Sequence, residues 1–404
     1  MQKKLIAIAV AGALGAPAVA LAQNATVNIY GRFYAEYGWV DQKDVNGGAA
    51  GRSLNNVDFL QAPGSNLGFR GEEKLGGSLS AWFQCESSYD FRGQNGDGLC
   101  TRNSALGLKG NFGNVFVGIW DTPFKRVQDA VGGNDTGFFG TAFVLMGNST
   151  TTASGVSNQA VFKRRQINTI NYDTPNFGGF QLSAAYTNSN TQTNVLDSAA
   201  GNKPRIWSFS GKYANGPLNV YAAYEQHKDI ANDGVAATVG SVNTAGTALV
   251  AATPAVPATA AFDDKGWVAG ASYTFANRLK VGGLFSRQKW ETGIGAQSKV
   301  NVWHLGMDWM ISGPHGIRAA WSHASDVKGN GAGIGQVRPA AGSDTGTDLW
   351  QIRYVHALSK RTELTAGYVK IKNDANARYQ LGGLNSNRTG QDPSAAVIAL
   401  DHRF

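Results

Sequence analysis

The feature that most constrains this chain is a two-residue alternation that recurs along its length. Trp267, Ala269, Ala271, Tyr273 and Phe275 alternate with Val268, Gly270, Ser272 and Thr274. Trp303, Leu305, Met307, Trp309 and Ile311 alternate with Val302, His304, Gly306, Asp308 and Met310. Phe180, Leu182, Ala184 and Tyr186 keep the same beat, as do Trp207, Phe209 and Tyr213. Successive side chains of a β-strand point to opposite faces, so each segment presents one apolar face and one polar or small face. A strand in a soluble sandwich also alternates, and that is the competing reading. A barrel in a membrane adds aromatic residues at both ends of the apolar row, at the two membrane–water interfaces. Trp267 and Phe275 bracket small alanines in that way.

Composition excludes the helical alternatives. The chain has 404 residues with 52 Gly, 11 Pro and 10 Trp, and only 16% are charged, which does not fit a soluble helical protein. Residues 1–22 read as a cleaved export signal: Lys3 and Lys4, an apolar run from Leu5 to Ala16, and a cleavage motif at Ala20-Leu21-Ala22. The mature chain is then a single unit, residues 23–404, and loss of Lys3 and Lys4 takes the formal net charge from +8 to +6. Beyond Ala22 there is no run of about 18 apolar residues, so no membrane-spanning helix is expected. In lipid every backbone amide must be bonded within the protein, so such a chain can span only as a closed barrel.

The connections set the strand number. Seven short turns are legible, at Gly76-Gly77, Asn111-Phe112-Gly113, Pro175 to Gly179, Asn215-Gly216-Pro217, Ala276-Asn277-Arg278, Ser312 to Gly316 and Leu358-Ser359-Lys360. Eight longer stretches rich in Gly, Asn, Asp, Ser and Thr lie between them, at 41–53, 87–100, 121–162, 187–203, 229–262, 291–298, 325–345 and 373–392. The expectation is an all-β, 16-stranded antiparallel transmembrane barrel with short periplasmic turns and long extracellular loops. That width leaves room for an aqueous channel. Ile398, Leu400, His402 and Phe404 share one face of a last strand that ends on an aromatic residue.

Several segments resemble those of Gram-negative general porins of the β-proteobacterial type. Asn28-Ile29-Tyr30-Gly31-Arg32 resembles the porin first strand, and Ser65-Asn66-Leu67-Gly68-Phe69-Arg70-Gly71-Glu72-Glu73 the second. Thr101 to Gly118 resembles the strands leading to the third loop, and Arg164-Arg165-Gln166-Ile167-Asn168-Thr169-Ile170-Asn171-Tyr172 the strand after it. With the C-terminal ending, the likeness spans essentially the whole mature chain. It implies a homotrimer in the outer membrane, contacts with outer-membrane lipids and the barrel assembly machinery, and Phe404 as an assembly signal. It also implies passive diffusion of small hydrophilic solutes and ions, through a pore narrowed by an inward-folded third loop.

By position, Arg32, Arg70, Arg102 and Arg165 match the basic side of the porin constriction. Alternation independently turns Arg32 away from Ile29 and Phe33, and Arg70 away from Leu67 and Phe69, toward the lumen. Many general porins carry Pro-Glu-Phe-Gly on the loop; this chain reads Asn134-Asp135-Thr136-Gly137-Phe138-Phe139-Gly140, leaving Asp135 and Asp129 as the acids facing the arginines. Parity also points Lys212, Lys280, Arg318 and Arg353 inward. A charged constriction concentrates counterions, so the expectation is anion preference. The opposing expectation is that these cations snorkel to headgroups or pair with inward acids such as Glu36, Glu72 and Glu363.

Cys85 and Cys100, the two cysteines of an exported chain, read as a disulfide tethering the second loop; two thiols lack the further ligands that zinc needs. No metal or other cofactor is expected. The six histidines are scattered singly, and no Gly-x-Ser-x-Gly, His-Glu-x-x-His or P-loop segment is present, which argues against an enzyme. Basic charge is dispersed rather than clustered, which argues against a nucleic-acid partner. The alternative functions are a substrate-specific outer-membrane channel or a loop-displaying adhesin barrel. The low-complexity stretch Thr253 to Ala260 favours accessibility over a defined recognition site.

Overall fold

A computed structural model of the chain describes residues 26–42, 56–90, 92, 98–127, 131–133, 135–140, 145–146, 162, 164–188, 205–231, 261–293, 295–331, 341–382 and 389–404. The export signal and Asp129 lie outside the described residues. The alternating segments form one antiparallel sheet that closes on itself. Its first strand, β1 (Thr26–Asp41), pairs with the last, β18 (Ser394–Arg403), in register from Arg32 opposite Arg403 to Asp41 opposite Ser394. Closure removes both sheet edges, as an apolar surround requires.

The barrel wall has sixteen staves. β2 (Val57–Gln61) and β3 (Asn66–Gly76) lie on the same side of β1 and make one stave, broken where Pro63 cannot donate to the ladder and Gly64 takes a left-handed conformation (φ 74°). β4 (Leu79–Ser88), β5 (Ser104–Gly110), β6 (Gly113–Asp121), β7 (Arg165–Asp173), β8 (Phe180–Asn188), β9 (Arg205–Asn215) and β10 (Leu218–Ala231) follow in order. β11 (Ala261–Phe275), β12 (Leu279–Gly293), β13 (Ala296–Ser312) and β14 (His315–Ala324) continue the wall. β15 (Lys328–Gly329) is a two-residue rung beside β13 rather than a stave, and β16 (Thr347–Ala357) and β17 (Thr362–Asn373) lead to β18.

All seven short turns join staves where the alternation breaks. In the turn between β11 and β12 the backbone is left-handed at both Ala276 and Asn277 (φ 46° and 56°). One expectation is corrected. Residues 291–298 are not a long loop: β12 runs to Gly293 and β13 starts at Ala296, pairing Glu291 with Gln297. The Gly and Ser content that reads as a loop belongs to a hairpin tip and to strand ends beyond the apolar band.

The burial pattern is inverted relative to a soluble protein. Ile29, Leu106, Ile170, Leu182, Leu305 and Ile352 are exposed on the outer wall, while Ser208, Glu225, His227 and Gln288 are fully buried inside. The faces fall as the alternation requires, with Trp267, Tyr273 and Phe275 outward. Apolar outside and polar inside is the arrangement for a wall with lipid on one face and an aqueous pore on the other.

Candidate functional site: the pore constriction

The third long connection, between β6 and β7, enters the lumen and is pinned around the inner wall. It opens with a one-turn helix, α1 (Pro123–Arg126), whose Thr122 side chain caps the Lys125 amide and whose Pro123 occupies a position that needs no donor. Phe124 is fully buried, and its amide donates to Ser208 Oγ on β9 at 3.0 Å. Further on, the Gly133 amide donates to Asp308 of β13 (3.0 Å), and the Gly132 carbonyl lies 2.9 Å from His304 Nε2. Gln351 of β16 donates to the carbonyls of Gly133 and Phe139. On β1, Glu36 accepts the Phe138 amide at 2.8 Å and the Tyr34 hydroxyl at 2.8 Å. Phe138 and Phe139 are fully buried, and Phe138 packs directly over Gly38.

This docking carries Asp135 to the basic wall. Arg32 Nη2 lies 3.3 Å from Asp135 and Arg353 Nη1 lies 2.7 Å from it. Arg32 also pairs with Asp401 of β18 at 3.0 Å, and Arg353 stacks 4.8 Å above the Phe139 ring. Burial alone would raise the Asp135 carboxyl, but the charges of Arg353 and Arg32 outweigh it and bring its pKa down to about 2. Asp135 is therefore ionised at neutral pH.

A second group lies near the start of the loop. Arg102 donates to Glu86 at 2.7 Å, and Glu86 also accepts the Tyr30 hydroxyl at 3.1 Å. Arg70 stacks over the Tyr30 ring at 5.1 Å. Arg165 contacts Asp121 (3.1 Å) and Asn103 (2.8 Å), and Lys125 reaches the same Asp121 at 2.6 Å. Burial lowers the Lys125 pKa, and the Asp121 carboxylate opposes that shift.

The structure thus divides the four sequence-chosen arginines. Arg32 meets the loop acid Asp135; Arg102 and Arg165 meet acids of the wall; Arg70 stacks on an aromatic ring. Arg353 belongs at the constriction as fully as Arg32, although sequence reasoning gave it only an inward parity. Glu86, Asp121 and Asp401 are acids of the site that sequence reasoning passed over. The signal for Asp401 was present, since it has the opposite parity to Leu400 and Phe404. Of the proposed wall pairings, Glu363 binds Arg318 (2.7 Å) and Glu72 binds Lys109 (2.6 Å), whereas Glu36 holds the loop. Cys85 and Cys100 are joined, linking β4 to the second loop.

A closed sixteen-stave barrel, narrowed by a loop docked across charged groups, is the geometry of a diffusion pore. The Gram-negative porin family profile matches residues 7–376. The chain belongs to the Gram-negative porin family. It is 28% identical to outer membrane porin protein 32 of Delftia acidovorans over the full length of both chains. It is 27% identical to an outer membrane porin of Bordetella pertussis, covering 93% of this chain and 95% of that one. Among solved structures it is similar to the anion-selective porin from Comamonas acidovorans, with a TM-score of 0.70 and 24% identity, covering 94% of this chain and 100% of that chain. It is also similar to a trimer form of OmpT from Vibrio cholerae, with a TM-score of 0.63 and 14% identity, covering 95% of this chain and 100% of that chain. This porin is an outer-membrane protein, and its barrel is a passive diffusion channel for small hydrophilic solutes and ions.

Proposed function

We propose that this porin works as a homotrimer, prefers anions, and reaches the membrane through the barrel assembly machinery, with Phe404 as part of its assembly signal. The observation that carries the anion preference is the charge around the loop. Arg32, Arg70, Arg102, Lys125, Arg165, Arg353 and Arg403 face Glu36, Glu86, Asp121, Asp135 and Asp401, so among the described residues cations outnumber carboxylates by two in this group. The ion pairs moderate the field without cancelling it, so the preference is modest. A narrow low-dielectric pore amplifies even a small surplus of fixed charge. The similar Comamonas porin is anion-selective and the similar Vibrio OmpT occurs in a trimer form, and both support the reading.

Single-channel recording of the refolded protein under a salt gradient tests it. Conductance steps in groups of three with a reversal potential of anion sign are expected. A cation-signed potential would overturn the charge argument, and independent single steps would overturn the trimer.

A further inference from the structure

The six histidines are scattered singly along the sequence, but strand pairing brings two of them together. His315 opens β14 and stands directly opposite His356 of β16. One step nearer the turns, the Ala357 amide donates to the Pro314 carbonyl at 2.8 Å. Hydrogen-bonded and non-hydrogen-bonded pairs alternate along an antiparallel ladder, so His315 and His356 form a non-hydrogen-bonded pair, the kind that brings side chains closest. Tyr354 lies two residues before His356 on the same face. Its hydroxyl is 2.5 Å from His315 Nδ1 and 3.1 Å from His356 Nδ1.

This arrangement leaves the second nitrogen of each ring available. Among the described residues neither Nε2 has a hydrogen-bond partner. The ring centroids are 5.0 Å apart and the planes are tilted by 58°. Two imidazoles on one tetrahedral ion, with metal–nitrogen distances of about 2.0–2.1 Å, have ring centres about 5 Å apart. The observed spacing therefore suits a shared ion without a shift of either strand. A metal-bound histidine characteristically donates its other ring N–H to an oxygen, and the Tyr354 hydroxyl oxygen is placed to accept from both rings.

The position on the wall gives an ion access. Trp309 of β13 and Tyr354 of β16 flank Ile317 of β14 across three neighbouring strands, and both aromatic rings are exposed on the outer wall. The two histidines lie two residues nearer the short turns, about 7 Å beyond this row, where the wall leaves the apolar band for the periplasm. His315 is exposed and His356 partly exposed. Among the described residues no larger group of His, Cys, Asp or Glu is placed to compete for a metal ion.

We propose that His315 and His356 bind one divalent first-row transition-metal ion, Zn²⁺ or Cu²⁺, through their Nε2 atoms. Imidazole nitrogen suits these cations. Water fills the remaining positions, and Tyr354 is a positioning residue that fixes both rings. The chain between β14 and β16 joins them at their other ends, so the ion clips the two strands where their own connection leaves them apart.

The test titrates the full chain, refolded without an affinity tag and stripped of metal with EDTA, with Cu²⁺ and follows it by electron paramagnetic resonance. One ion per chain is expected, with hyperfine splitting from two nitrogens. His315→Ala and His356→Ala are each expected to weaken binding at least a hundredfold. Tyr354→Phe is expected to weaken it about tenfold while the two-nitrogen signal persists, which separates positioning from ligation. His402→Ala, an exposed histidine at the same end of the barrel, is expected to change nothing. Zn²⁺ is expected to raise the temperature at which the folded gel band is lost in the unaltered chain and not in His356→Ala. Heat-dependent gel mobility shows that each variant is a folded barrel. Four results would overturn the proposal: no saturable binding by the unaltered chain, a one-nitrogen signal from it, undiminished binding by folded His356→Ala, or loss of binding in His402→Ala.

Discussion

Among the described residues, Asp135 is the carboxylate that ties the loop to both Arg32 and Arg353, and its two partners differ in how much they need it. Arg353 has a side chain only 2% exposed, against 19% for Arg32, and Arg32 keeps Asp401. Asp135→Asn therefore leaves Arg353 buried without a counterion. Breaking a pair of this kind costs about 3 kcal/mol. The variant is expected to be less heat-resistant and more anion-selective, measured by the temperature at which the folded gel band is lost and by reversal potential. The pH dependence follows the same group. Its pKa is brought down from 3.8 to about 2, so its stabilising contribution is present above the ordinary carboxylate range. That contribution is lost as pH falls from about 4 through about 2, and Asp135 itself gives no change in selectivity between pH 7 and 5. Arg102→Ala with Arg165→Ala acts in the other direction. It removes two cations, takes the arginine from Glu86 and leaves Asp121 with Lys125, so the reversal potential moves toward cation preference and the conductance rises. Unchanged selectivity would remove both residues from the ion path.

The third loop is positioned by contacts remote in sequence, and Gly137 shows how tightly it fits. Gly137 has φ 65°, and a Cβ there would lie 1.7 Å from Glu36 Oε1, the oxygen that accepts the Phe138 amide. Gly178 has nearly the same φ, 61°, with open space around it, so it isolates the backbone cost, which is about 1–3 kcal/mol. Gly178→Ala is expected to lower thermal stability slightly and leave conductance unchanged. Gly137→Ala is expected to unseat the loop from β1 and give larger, noisier single-channel currents. Equal conductance in the two variants would mean that the Glu36 contact does not hold the loop. This division also explains what was legible in the sequence. Each stave announces itself through its own alternation, and Arg32 could be aimed into the lumen from Ile29 and Phe33 alone. The hairpin at 293–296 was obscured because its strands outrun the membrane, where nothing enforces an apolar face. The loop's anchors, Ser208, His304, Gln351 and Glu36, look like any other inward polar residue, since their partners are about 80 to more than 200 positions away.

Closure of the barrel brings its first and last strands together, and Phe404 sits on that seam. The Phe404 amide donates to the Gly31 carbonyl at 3.1 Å, and the Gly31 amide donates to the Phe404 carbonyl at 3.2 Å. The ring lies over Gly31, where a Cβ would approach it to 2.6 Å, and meets Phe33 edge-on with centroids 5.1 Å apart. Deleting Phe404 removes these contacts but leaves the whole register from Arg403 to Ser394 intact. Two backbone hydrogen bonds contribute about 1–3 kcal/mol together, a small loss against so long a seam. Protein refolded without Phe404 is therefore expected to form barrels of nearly normal conductance, with a modest drop in heat resistance. Assembly in the cell is a different measurement, because there the C-terminal strand is met by the assembly machinery before the seam exists. If Phe404 is part of that signal, folded barrel in the outer membrane falls several-fold while signal-peptide cleavage is unchanged. The ratio of in-cell yield to in-vitro refolding yield separates the two roles. A ratio equal to that of the full-length chain would reduce Phe404 to a seam contact, and a fall confined to the cell would make it an assembly signal.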